Sequence, residues 1–164
     1  MGQEPRSHSL GPLDLGLDEV VVRRDWPNLN PGGVSISSPD DDSYNCAAWA
    51  ANDTARWWEP SPYRSHYWPP SVARQATLAS YEAAYGTLGY ERCADPALES
   101  GYEKIAVYTD ESGSPVHVAR QLVTGRWTSK LGQLKDIEHQ SLDDLAGGLY
   151  GQPRLFMRKP QRSR

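Results

Sequence analysis

The chain has 164 residues, 38% hydrophobic and 23% charged, with a formal net charge of −4. That length suits one domain with a real core, and the acid excess argues against nucleic acid as a partner. No stretch approaches the roughly 18 apolar residues of a membrane span. The start MGQEPRSHSLGPLDLG lacks the basic and apolar runs of a secretory signal.

The 14 Gly and 13 Pro make the chain loop-rich, and 6 Trp and 9 Tyr stand against a single Phe. Residues 1–33 are expected to form an extended arm, with an edge strand over Glu19 to Arg23. GVSISS, Gly33 to Ser38, alternates as a short strand does and ends in the turn PDDDS. A helix capped by Ser43 or Asp42 is predicted to run to about Ala55, with Cys46 in its first turn. A second helix follows Ser71, with apolar residues at Val72, Ala76, Ala79 and Ala83 and a stop at Gly86 or Gly89.

A short strand, Tyr90 to Cys93, precedes a β-meander built from Tyr102 to Thr109, Pro115 to Leu122 and Arg126 to Leu131. DIEH, residues 136–139, reads as irregular, SLDDLAG as a capped turn, and PRLFMR as a last strand joining the sheet. The expected class is α+β: two helices, then a C-terminal antiparallel sheet, as one domain over 34–159 with a basic tail at 160–164.

Hairpin register tests which polar groups can meet. A three-residue loop, Val123-Thr124-Gly125, wants glycine in its left-handed third position. Ala119 then faces Ser129, and His117, Ala119, Gln121, Trp127 and Ser129 share one sheet face. Ser129 lies diagonally from His117, within reach of its second ring nitrogen. The small Ala119 leaves room for the imidazole to pack against the helix that carries Cys46. A two-residue loop, Thr124-Gly125, would instead turn Ser129 to the other face.

These residues supply the parts of a thiol-based site. Cys46 is the candidate nucleophile, its thiolate favoured by the helix start and by His117. His117 is the candidate general base and then acid, with Ser129 orienting it and Asp136 or His139 as alternative third members. Tyr44 and Asn45 precede the nucleophile and are candidates for the oxyanion site, although Asn45 equally fits a helix cap. Trp49, Trp57, Trp58 and Trp68 are candidates to line a groove; aromatic packing in the core is the more frequent use of such residues. Cys93 reads as structural. The four His and two Cys lack metal-site spacing, and no phosphate loop is present, so no metal or cofactor is expected.

A cysteine at a helix start, a histidine on a strand, a glycine at Gly125 and a polar residue at Ser129 together resemble the papain-like cysteine peptidase superfamily. The likeness is greatest to its compact bacterial branch of NlpC-type cell-wall enzymes. The larger pattern, YNCAAWA, then the His117 strand, DIEH and LYG, is also similar to a family of uncharacterised bacterial domains. The resemblance implies a papain-like α+β domain acting as a cysteine hydrolase or acyltransferase on a peptide or amide bond, with a peptide or protein substrate. The nucleophile stretch reads N-C-A-A where that branch has D-C-S-G, so a catalytically silent binding module with a Trp/Tyr groove is the alternative. A toxin or effector domain delivered to other cells would use the same chemistry. With two cysteines and no export signal, the expected compartment is a reducing cytoplasm.

Overall fold

The computed structural model describes residues 14–63 and 65–161. Twelve elements follow in chain order. They are α1 (Glu19–Asp25), a 3-10 turn (Pro31–Gly33), β1 (Ser35–Ser38), α2 (Cys46–Ala50), α3 (Leu78–Gly86) and β2 (Glu91–Arg92). Next come β3 (Tyr102–Thr109), β4 (Pro115–Gln121), β5 (Trp127–Lys130), β6 (Asp136–His139), a second 3-10 turn (Leu142–Leu145) and β7 (Gln152–Pro160). The sheet has seven strands in the order β1-β6-β5-β4-β3-β7-β2, and each neighbouring pair is antiparallel. The class is α+β, and no helix among the described residues is long and apolar enough to cross a membrane.

Strand alternation divides the interior into two cores. Ile105, Val107, Val118, Leu155 and Met157 face α2 and α3, where they meet Ala47, Ala48, Ala50, Trp58, Trp68 and Tyr85. Ala106, Tyr108, Ala119, Trp127 and Ile137 face the other way, against Leu15, Trp26, Leu142, Leu145 and Tyr150. The central strand β3 is buried from Lys104 through Thr109, because both faces are covered.

The meander follows the expected register. Gly125 has φ 92°, its amide donates to the Leu122 carbonyl at 2.9 Å, and Gln121 pairs with Trp127. The three-residue loop therefore forms, and Ser129 stays on the His117 face.

Four expectations are corrected. Glu19 to Arg23 is helical rather than an edge strand, because Asp18 caps the Val20 amide and Glu19 pairs with Arg23 one turn on at 2.8 Å. Helix α2 ends at Ala50, well before Ala55: Asn52 turns left-handed at φ 61° and the Asp53 amide closes back onto the Ala48 carbonyl at 2.9 Å. Helix α3 is capped by Thr77, not Ser71, so the segment after Pro70 stays irregular until Leu78. DIEH is a strand, β6, held between β5 and β1. The last strand runs through Pro160, which pairs with Tyr102. Residues 1–13 of the arm, including His8, and 162–164 of the tail lie outside the described residues.

The described part of the arm does pack on the domain. Leu15 and Trp26 are buried in the second core, Asn28 donates to the Ala146 carbonyl at 3.0 Å, and the Leu149 amide donates to the Asp25 carbonyl at 2.8 Å. These bonds anchor the loop that delivers Tyr150.

Candidate functional site

Asn45 sets the position of the cysteine. Its side-chain oxygen accepts from the Ala48 amide at 3.2 Å and from the Trp58 amide at 3.0 Å, and its nitrogen donates to the Trp58 carbonyl at 2.7 Å. One buried side chain thus caps α2 and ties it to the segment at Trp58, which leaves Cys46 as the first helical residue. The cap role accounts for Asn45, and its amide is engaged rather than free for an oxyanion. Tyr44 is engaged as well: its hydroxyl donates to Asp136 at 2.8 Å and its ring stacks on Trp49.

Strands β4 and β5 pair only beside their turn, at Gln121 with Trp127 and Arg120 with Thr128. Beyond that point no ladder pair joins them, and the start of α2 packs at this opening. The Cys46 sulfur lies beside the backbone amides of Val118, Ala47 and Cys46 itself, all of which favour the thiolate. Burial outweighs them and pushes the thiol pKa up. Desolvation of the charge at the half-buried Cys46 is thus a larger effect than these amides and the helix start.

His117 reaches the same place from the other side. It is 1% exposed and belongs to the face of Tyr108, Ala119 and Trp127, opposite the face that α2 covers. Its ring stacks on Tyr150 at 4.0 Å and 7°, with Tyr108 edge-on at 5.3 Å. Tyr150 was not singled out from the sequence, although its segment, LYG, belongs to the pattern noted there. Gly151 holds it in place: at φ 63° its backbone presses on the Thr109 carbonyl, where any Cβ would clash.

A chain of three buried side chains sets the proton positions. His139 Nδ1 lies 2.9 Å from the Ser141 carbonyl, which can only accept, so Nδ1 carries the hydrogen. Burial lowers the pKa of both imidazoles, His117 well below its ordinary value, and the ring of His139 near His117 adds to that. In a neutral His139, Nε2 then accepts from the Ser129 hydroxyl at 2.8 Å. Ser129 has spent its one hydrogen, so it accepts from His117 Nε2 at 3.0 Å. His117 Nδ1 is left as a lone-pair acceptor, buried and without a hydrogen-bond partner. That is the protonation state a general base requires.

His117, Ser129 and His139 thus form one hydrogen-bonded series. Pairing of Ser129 with Ile137 and of Trp127 with His139 puts both on the His117 face. Asp136 pairs with Lys130 on the opposite face and is held there by Tyr44. The lysine is fully buried and donates to the carbonyls of Asp41, Gly132 and Leu134, which clamps the loop between β5 and β6.

Cys46 and His117 open into one cleft of about 580 Å³, lined also by Trp57, Trp58, Tyr63, Tyr81 and Tyr150. Of the four groove tryptophans, Trp57 and Trp58 line it. Trp49 instead donates to Thr128 at 2.9 Å, and Trp68 is 2% exposed and donates to the Ala73 carbonyl at 3.0 Å. Cys93 is remote from this cleft, and both thiols are free. Among the described residues, no three His, Cys, Asp or Glu side chains gather as metal ligands.

Residues 35–158 match a family model described as a domain of unknown function (DUF7689). The match runs from the start of β1 into β7 and includes every residue of the cleft. No curated protein matches the chain, and no solved structure does.

Proposed function

As the chain belongs to the DUF7689 family, whose description assigns no activity, we propose from the chemistry of the site that it is a papain-like cysteine hydrolase or acyltransferase acting on a peptide or amide bond. One observation carries this reading. His117 and Cys46 line the same cleft, and the buried His117 Nδ1 has no hydrogen-bond partner while the other nitrogen is held by Ser129, itself bonded to His139.

As Sγ bonds to the acyl carbon, His117 Nδ1 takes the thiol proton and the carbonyl electron pair moves to oxygen. The Cys46 and Ala47 amides beside the sulfur are the donors for that oxyanion. When the carbonyl reforms, the carbon–nitrogen bond breaks and His117 returns its proton to the departing amine. Water or a second amine then attacks the thioester, with His117 again as base. The Ser129 and His139 chain keeps the reactive nitrogen unprotonated and the ring oriented, as the third member of a triad does. Free thiols suit a reducing cytoplasm.

The test is the acyl intermediate itself. Incubation with a panel of activated peptide esters should leave a covalent adduct on Cys46, read by intact mass and peptide mapping, and Cys46→Ala should abolish it with the circular dichroism spectrum unchanged. Labelling confined to Cys93 would overturn the reading. A catalytically silent binding module is the second reading, favoured by the raised thiol pKa and by the burial of the His117 ring. It predicts ligand binding that survives Cys46→Ala and no adduct on the native protein.

A further inference from the structure

The walls of the cleft are unlike a site for a charged substrate. Five aromatic residues stand in them, Trp57, Trp58, Tyr63, Tyr81 and Tyr150, among mostly apolar neighbours. Two of the few large apolar side chains left in solvent stand at this cleft, Tyr63 at 88% exposure and Leu149 at 53%. No lysine or arginine lines it among the described residues, and its one carboxylate is Glu59. Glu59 is exposed and accepts from the Trp57 indole at 3.1 Å, so its charge stands directly at the aromatic wall. Arg56, next to Trp57 in the chain, is engaged elsewhere: it pairs with Asp53 at 2.9 Å and covers the Tyr67 ring at 3.6 Å.

We propose that the substrate residue contributing the acyl group to Cys46 is uncharged and apolar, aromatic or branched aliphatic, held between Trp57, Tyr63 and Tyr150. This rests on the acyl-transfer reading above for the chemistry, though not for the binding preference. An apolar residue gains from leaving water against these rings and from their flat faces. A carboxylate at the same place would be desolvated with no cation among the described lining residues to meet it and with Glu59 as a like charge. Tyr63 and Leu149, otherwise costly on a free surface, become covered when the residue binds.

The experiment compares p-nitrophenyl esters of N-acetyl-phenylalanine, N-acetyl-leucine and N-acetyl-glutamate on the native protein, scoring the rate of adduct formation on Cys46. In parallel, binding of N-acetyl-phenylalanine amide and N-acetyl-glutamate amide to Cys46→Ala is followed by tryptophan fluorescence. The phenylalanine and leucine esters should react at least about tenfold faster than the glutamate ester, the scale of discrimination an apolar pocket supplies. Tyr63→Ala, at an exposed position, should narrow that ratio, and Glu59→Gln should narrow it from the other side by speeding the glutamate ester. Equal or faster reaction of the glutamate ester overturns the assignment and leaves acyl transfer standing. No adduct from any ester, with the phenylalanine amide bound about tenfold tighter by Cys46→Ala, keeps the assignment and removes acyl transfer. Failure of both binding and acylation overturns both.

Discussion

Ser129→Ala removes the hydroxyl that joins two buried imidazoles, and its effect can be worked from the geometry. Ser129 is fully buried and makes hydrogen bonds of 3.0 Å to His117 and 2.8 Å to His139. Without it, a ring N–H of His117 and a lone pair of His139 lose their partners inside the protein. Each such orphaned group costs about 1–3 kcal/mol, so the variant should lose about 2–6 kcal/mol. That is a large share of the roughly 5–15 kcal/mol typical of a domain. Urea unfolding at pH 7.5, with an unchanged slope, measures the loss. Two-bond ¹H–¹⁵N spectra of the native protein supply the second measurement: His117 should carry its hydrogen on Nε2 and His139 on Nδ1. A loss below about 0.5 kcal/mol, the ordinary scale of a surface change, or a His117 protonated on Nδ1, would refute the relay.

The same histidines make stability depend on pH. Both titrate below their ordinary value when folded, whereas in the unfolded chain they take up protons near pH 6.5. Their contribution is complete above that pH and is lost as the pH falls, by up to about 1.4 kcal/mol per pH unit for each ring. Urea midpoints should therefore drop between pH 6.5 and 5, and a flat profile there would contradict the burial of neutral rings. The Cys46 thiol is raised by burial, so alkylation by iodoacetamide without substrate should be slow at pH 7 and climb only above about pH 9, the ordinary thiol range. A rate plateau reached by pH 6 would instead indicate a standing thiolate–imidazolium pair. Trp58 is 3% exposed, with its indole donating to Asp53 at 2.9 Å, so Trp58→Ala should cost about 3–5 kcal/mol in calorimetry. Trp57→Ala, at the half-buried neighbour, should leave the melting temperature nearly unchanged while altering the cleft; equal losses from the two would mean the wall is not divided this way.

Much of the site was legible in local chemistry. The Val123-Thr124-Gly125 loop has the one residue type that tolerates its third position, and the alternation of a strand then carries Ser129 to the His117 face without further assumption. The cap at Asn45 and the capping box at Ser141 follow from side chains that bond their own backbone a few residues away. Such features depend on neighbours close in the chain, so the order of residues is sufficient to specify them.

Other features depend on partners far apart in the chain. DIEH has too little alternation to read as a strand, and becomes one because β1 and β5 stand on either side of it. That pairing is also what brings His139 to Ser129 and turns Asp136 to the opposite face, so of the two alternative third members one bonds Ser129 and the other bonds Tyr44. Which face α2 would cover was likewise outside the reach of the hairpin register, since the covering of a face is settled by packing between layers and not by the pairing of strands. The thiol and the imidazole therefore approach from opposite sides of a parted β4 and β5, and desolvation in that gap, a property of the assembled chain alone, raises the one pKa and lowers the other.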